Sequence, residues 1–182
     1  MTTAIQTPLP YREDILPNDL REWIDEHTLA RLVLAAVQDG TVPIAPTAEA
    51  AGPNADCQPH VLLSLLTYCY TTGIFSSTDI ELNSTQDKMV RHLCANTYPE
   101  AEQIRWFRRN DRRSIQKSLT EVLYRAWRIR CRLDESGSDA PADFINPCFE
   151  EGVDEQATRP FAAEAEERIN RAVRLDCWSF DY

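Results

Sequence analysis

Apolar residues recur at helical spacing along most of this chain. The first such stripe follows a possible cap at Asn18 or Asp19 and stops at Gly40, which predicts an amphipathic helix. The segment from His60 to Tyr70 is apolar on almost every side, as expected for a helix in the centre of a bundle, and Gly73 ends it. A third pattern, with spacings of 4, 3, 4, 3 and 4, predicts the longest helix; its members are Ile115, Leu119, Val122, Ala126, Ile129 and Leu133.

Shorter helices are predicted between these three. Residues 76–79 and 84–87 have the composition of capping boxes, for helices that reach about Asn83 and about Ala95. Pro99 with Glu100 and Glu102 marks another start, and a last helix from about Pro160 places Phe161, Ala165, Ile169, Ala172 and Val173 on one side. The sequence lacks any sustained alternation of apolar and polar residues with a period of two, so β-strands are not predicted. We therefore predict an all-α bundle of about five to seven helices that contains a helix-turn-helix-like segment.

The domain organisation follows from the proline-rich and acidic stretches. Residues 1–17 are predicted to form an extended arm, 18–133 the helical domain, 134–158 an acidic loop or linker, and 159–182 a C-terminal helix and tail. Within the helical domain, the proline- and glycine-containing stretch between Gly40 and Pro59 is predicted to be a long loop.

Charge is segregated along the sequence. The net charge of the 182 residues is −10, yet residues 88–132 carry 12 basic and 4 acidic groups and therefore have a net charge of +8. The segments 1–87 and 133–182 each have a net charge of −9. An acidic chain repels nucleic acid, whereas a basic central segment attracts it, so this distribution indicates something about partners rather than about the fold.

Cellular location and metal binding are constrained by what the sequence lacks. No apolar stretch is long enough to span a membrane, and the first residues do not resemble a signal peptide, so we expect a cytoplasmic protein without a membrane partner. The six cysteines are scattered, which favours a reducing compartment. Cys57 and His60 form a C-x-x-H pair, but no second pair has zinc-like spacing. We predict no metal, no cofactor, no small-molecule substrate and no catalytic residues, hence no enzyme.

Three sequence blocks resemble one known family. LLSLLTYCYTTGIFSSTDIE at 62–81 is similar to the helix-turn-helix segment that opens many bacterial insertion-sequence DDE transposases. ILPNDLREWIDEHTLARLV at 15–33 and VRHLCANTYPEAEQIRWFRR at 90–109 resemble flanking blocks of the same family, in the same order. The resemblance covers about residues 11–132 and implies an N-terminal helical domain. In that family an RNase H-like domain follows, with three carboxylates that bind two metal ions, and no segment here resembles it.

A cluster of arginines is the main candidate site. Its members would share one face if the helix continued through Asn110 and Asp111, and they are Arg105, Arg108, Arg109, Arg112 and Arg113. Guanidinium groups bind phosphate bidentately, so we predict that these residues contact DNA. The alternative is that acidic residues of the fold, or of a second copy, pair with them.

Two further features accompany the arginines. Ser76 and Ser77 stand where backbone N–H groups and hydroxyls at a helix start could hold a phosphate, although capping alone would also explain them. Trp106 and Phe107 could stack on bases, but at helical spacing Ile104 and Phe107 are predicted to face the core.

Two functional hypotheses follow. The first is a transposase-derived protein without catalytic activity that binds transposon ends or acts as a repressor; replacing Arg108 and Arg112 together by Ala should then weaken DNA binding without unfolding the protein. The second is an interaction or oligomerisation module that has lost DNA binding and assembles with itself or with a partner through the 115–133 helix. DNA and a second copy are therefore the two predicted partners.

Overall fold

The fold is all helical over the residues that the computed structural model describes, 16–40, 57–136 and 155–178. A 3-10 turn at Leu20–Glu22 comes first, and the helices are α1 Glu26–Gly40, α2 Pro59–Thr71, α3 Ser77–Gln86, α4 Lys88–Leu93, α5 Ala101–Asn110, α6 Arg112–Ser136 and α7 Glu155–Trp178. The prediction of an all-α bundle is confirmed. The predicted arm before residue 16, and most of the two predicted loops (41–56 and 137–154), lie outside the described residues.

Helix α2 forms the centre of the bundle. Every residue from Val61 to Thr71 is buried, as its uniformly apolar sequence predicts. The Tyr68 hydroxyl donates to Glu26 Oε1 on α1 at 2.9 Å, whereas the buried hydroxyl of Thr67 has no hydrogen-bond partner. Gly73 ends the turn after α2 with φ +80°, where a Cβ would approach the carbonyl oxygen of Asn18 to 3.4 Å. The predicted stop at Gly73 is therefore confirmed, and glycine suits it because this φ is left-handed.

The apolar seam of α6 packs inside the same chain. Ile115, Leu119, Val122 and Ala126 are fully buried, and α6 packs against α1, α2 and α7. Ile129 is partly buried at the edge of this core, whereas the side chain of Leu133 is outside the described residues. The seam was a candidate oligomerisation surface, and for its first four members that prediction is wrong because the protein's own helices cover it.

Several helix starts differ from the predicted ones. Asp19 caps only the 3-10 turn, and α1 begins at Glu26 with Asp25 accepting from the Thr28 N–H at 3.0 Å. Helix α4 begins after Asp87, whose carboxylate accepts from two backbone N–H groups. Ser84 is still inside α3, so the predicted capping box at 84–87 is wrong. Both corrections have one reason: an aspartate carboxylate holds the orphan N–H groups at each start.

The helices α3 and α4 meet at a very tight corner. Asp87 alone separates them, in an extended conformation with φ −84° and ψ 131°. Helix-turn-helix motifs usually have a turn of three or four residues, and α4 has only six residues in total. The two short helices exist as predicted, while a DNA-reading role for this pair stays a prediction.

The C-terminal helix is part of the same core. Phe161, Ala165, Ile169 and Ala172 are buried against α6 and its neighbours. On the same side Arg168 is only 3% exposed, and its guanidinium donates to the carbonyl oxygens of Pro17, Asn18 and Tyr70 at 2.6 to 3.1 Å. Helix α7 is thereby fixed to the start of the described chain and to the last turn of α2.

None of the helices in the described part is long and apolar enough to cross a membrane.

Candidate anion-binding site

The start of α3 binds a carboxylate. Ser77 is the first residue of α3, where the backbone N–H has no partner within the helix. Its N–H and its hydroxyl both donate to Asp176 Oδ1 on α7, at 2.9 and 3.0 Å. The positive end of the α3 dipole and the two donors together make this position favourable for an anion. Ser76 precedes the helix, but its side chain accepts no capping hydrogen bond from a backbone N–H; its hydroxyl is 2.7 Å from that of Thr78.

Arg108 binds the other oxygen of the same carboxylate. This arginine lies in the last turn of α5 and is only 3% exposed, and its Nη2 donates to Asp176 Oδ2. Its Nη1 donates to the Tyr70 hydroxyl at 3.1 Å, while the buried Nε has no hydrogen-bond partner. Burial raises the pKa of Tyr70 to about 12, against the opposing effect of the Arg108 charge, so this hydroxyl stays neutral.

Arg105 extends the cluster by one turn of α5. Its Nη1 donates to the Ser77 hydroxyl at 2.9 Å, and this hydroxyl in turn donates a hydrogen bond to Asp176. Residues three apart on a helix share a face, which explains why Arg105 and Arg108 reach the same place. We call Ser77, Arg105, Arg108 and Tyr70, together with the carboxylate of Asp176 that they surround, the anion cluster.

Arg112 is paired with α7 at a second, more exposed position. Its Nη2 donates to Glu166 Oε1 and to Asn170 Oδ1, the latter at 2.7 Å. The Arg112 and Glu166 side chains are 36% and 38% exposed. This ion pair is therefore open to solvent, in contrast with the buried pair of Arg108 and Asp176.

The five predicted arginines do not share one face. Helix α5 ends at Asn110, and Asp111, with φ −110° and ψ 25°, separates it from α6. The condition for a single basic face therefore fails. Arg108 is buried, Arg105 and Arg112 are partly buried in contacts with α3 and α7, and Arg109 and Arg113 are exposed. Arg108 and Arg112 instead pair with acidic residues of the same chain, Asp176 and Glu166, which was the alternative expectation.

Arg108 is poorly suited to the predicted separation of DNA binding from folding, because it is buried in an ion pair with Asp176. Truncating it leaves Asp176 without its charged partner, so a loss of stability accompanies any change in binding. Arg112 is exposed enough for such a test; Arg108 is not.

The aromatic residues of α5 belong mainly to the core. Phe107 is 1% exposed and Ile104 is fully buried, as predicted, and Trp106 packs against the core while partly exposed. The ring of Phe107 is therefore not accessible for stacking on bases in this conformation.

The cysteine and histidine candidates lie apart from the anion cluster. Cys57 is buried with its sulfur 3.3 Å from the Thr97 hydroxyl, and His60 is exposed at the start of α2. Within the described ranges, no three His, Cys, Asp or Glu side chains are grouped closely enough to hold a metal ion.

Sequence reasoning missed Asp176, although a signal for it exists. Asp176 continues the apolar positions of α7, since it follows Ala165, Ile169 and Ala172 at spacings of 4, 3 and 4. An ionisable residue at a core position is buried only when it is paired, so this spacing points to a partner elsewhere in the fold. Glu166 and Tyr70 gave no comparable signal.

Comparisons with protein-family models, with curated proteins and with solved structures find no match to this chain. The transposase resemblance therefore rests on the three sequence blocks alone and stays a prediction.

Proposed function

We propose that this chain is a non-catalytic DNA-binding module that holds the phosphate backbone at the corner between α5 and α6. The observation that carries the proposal is that Ser77 and Arg108 donate to one carboxylate, that of Asp176, while Arg105 donates to the Ser77 hydroxyl beside it. All three were expected to contact phosphate from the sequence alone. A helix start, a hydroxyl and two guanidinium groups form a donor set suited to a phosphate as well as to a carboxylate.

Two further arginines are accessible at the same corner. Arg109 follows Arg108 at the end of α5, Arg113 lies in the first turn of α6, and both are exposed. In this proposal they make the first contacts with the duplex. Such contacts add affinity without sequence information, because phosphates are the same at every base pair.

Salt dependence separates these contacts from a general charge effect. Each neutralised phosphate contributes about 0.9 to the slope of log affinity against log salt on duplex DNA. The double variant R109A/R113A should bind a duplex of mixed sequence more weakly than the wild type, and its slope should be smaller by roughly 2. Fluorescence anisotropy at several salt concentrations measures both quantities.

The matched control removes the same charge elsewhere. Arg31 on α1 and Arg130, many residues beyond Arg113 on α6, are exposed, so R31A/R130A lowers the net charge equally. Equal affinities and slopes for the two double variants would contradict a role for the α5–α6 corner. No binding by the wild-type chain at about 50 mM salt, where even non-specific basic surfaces bind, would contradict the proposal as a whole.

A second candidate function is an interaction module that does not bind DNA. The observation that favours it is that α7 already neutralises Arg108 and Arg112. The first four members of the α6 seam are buried within one chain, so in this function another surface would make the contact with the partner. The interaction module requires a mass above that of the monomer or a co-purifying partner. Light scattering that gives a strictly monomeric mass, with no co-purifying partner, would contradict this second function.

A further inference from the structure

Helix α7 carries the anions that occupy the predicted phosphate contacts. Asp176 accepts hydrogen bonds from Ser77 and Arg108 in the anion cluster, and Glu166 accepts one from Arg112. These two carboxylates are ten residues apart, about 15 Å along a helix of 1.5 Å rise per residue. A single acidic helix thus neutralises arginines of both α5 and α6.

Among the described side chains in the last turn of α7, the buried one is the charged Asp176. Ala172 is the last buried apolar residue of α7 among those whose side chains are described. Beyond it, Leu175 is 41% exposed and Cys177 is exposed, whereas Asp176 is 5% exposed. Releasing Asp176 therefore requires only the last turn of α7 to unwind, while Phe161, Ala165 and Ile169 stay packed.

The second contact opens even more easily. Glu166 and Arg112 are both more than a third exposed, so rotation of either side chain separates them without any backbone change. Exposed ion pairs contribute little to stability because water solvates both partners.

The carboxylate of Asp176 also leaves one donor unused. It binds Arg108 through Nη2 only, and the buried Nε of Arg108 has no acceptor. A DNA phosphodiester has two anionic oxygens, as a carboxylate does, and either anion can take two donors from one guanidinium. Asp176 does not use the Nε of Arg108, so a phosphate that accepts from both nitrogens can compete with it.

We propose that α7 is an intramolecular latch, in which Asp176 and Glu166 compete with DNA phosphates for the anion cluster and for Arg112. This inference rests on the proposed function. In the closed form the arginines are neutralised by the chain itself and DNA affinity is low. DNA binding displaces Glu166 and unwinds the last turn of α7, which uncovers Arg108 and Ser77.

Neutralising Glu166 tests the latch with a close control. Glu167 is the next residue, is exposed and pairs with Arg174 on α7 itself, so E167Q changes the charge equally without touching Arg112. Anisotropy titrations with a mixed-sequence duplex should give E166Q a several-fold tighter affinity than E167Q. D176N, which removes the charge from the anion cluster, should also bind more tightly than E167Q. Melting curves show that each variant is folded, and E166Q remains informative if D176N is not.

Hydrogen exchange gives an independent readout of the unwinding. Saturating DNA should accelerate exchange at the backbone amides of residues 173–178 and leave α2 unchanged. If the wild type binds DNA but E166Q and E167Q bind equally and these amides are not accelerated, the latch is wrong and the proposed function stands. If neither the wild type nor any variant binds DNA, the proposed function is wrong and the latch fails with it.

Discussion

Replacing Asp176 by Ala measures how firmly the end of α7 is docked. The side chain of Asp176 accepts hydrogen bonds from Arg108, from the Ser77 N–H and from the Ser77 hydroxyl. In D176A the guanidinium of Arg108, only 3% exposed, keeps just the Tyr70 hydroxyl as a partner. Breaking a buried pair in a rigid interior costs about 3–5 kcal/mol, because the remaining charge stays buried and uncompensated.

The last turn of α7 limits this cost. If that turn unwinds in D176A, water reaches Arg108, and the loss cannot exceed the free energy of the local opening. Since no buried apolar side chain follows Ala172 in the described part of α7, we expect a loss of about 1–3 kcal/mol, below the cost for a rigid pair. An exposed pair gives a lower bound: E167A removes the partner of Arg174 and should cost about 0–1 kcal/mol.

Urea unfolding followed by circular dichroism at 222 nm provides the free energies, provided that the m-values of the variants agree. The double variant R108M/D176L should recover most of the loss, because replacing both members of a buried pair with apolar side chains is often neutral. A loss for D176A no larger than that for E167A would refute the docking of α7 on Arg108. A loss of about 3–5 kcal/mol would mean that the pair is rigid, and the latch would then be too costly to open.

Two further predictions concern other parts of the fold. Asp25 caps α1, and its pKa is lowered by hydrogen bonds from the Thr28 hydroxyl and N–H; D25A should cost about 1 kcal/mol near neutral pH, whereas D25N should cost less because Asn also caps helices. A lowered pKa means that the ionised carboxylate stabilises the fold at pH values above the ordinary pKa of aspartate. The difference in unfolding free energy between wild type and D25A should therefore shrink as the pH falls below about 4. Cys177 is exposed, whereas Cys69 and Cys94 are fully buried and burial raises the pKa of Cys94 to about 12. A thiol-reactive maleimide should therefore label Cys177 under native conditions before Cys69 and Cys94, which should react only on unfolding, as followed by peptide mass spectrometry. Early labelling of Cys94 would contradict the described core.

Local patterns were sufficient to predict where helices exist. The apolar run of α2 and the 4-3-4-3 spacing of α6 identify these helices because burial requires a continuous apolar face. Helix starts were harder to predict, since several residues can cap the same turn. Ser84 and Asp87 both satisfy the rule for a cap, and only the path of α3 shows that Asp87 is used.

The oligomerisation seam illustrates a different difficulty. An apolar stripe such as that of α6 has the same period whether a second copy or the same chain covers it. Here α1, α2 and α7 cover it, and their arrangement depends on contacts between residues far apart in sequence. The stripe therefore predicts correctly that these residues are buried, but it does not identify the helices that cover them.

The anion cluster follows the same logic, with charge in place of apolar area. A helix start next to two arginines attracts an anion, and the sequence was sufficient to predict that chemistry for Ser77, Arg105 and Arg108. Whether the anion belongs to DNA or to the protein depends on α7, which reaches Ser77 across 99 residues and Arg108 across 68. The two answers are compatible if the carboxylate and the phosphate exchange. Allosteric couplings usually amount to about 1–3 kcal/mol, which is the range expected for opening the last turn of α7. The proposed latch therefore requires only that a few phosphate contacts supply more free energy than this opening costs.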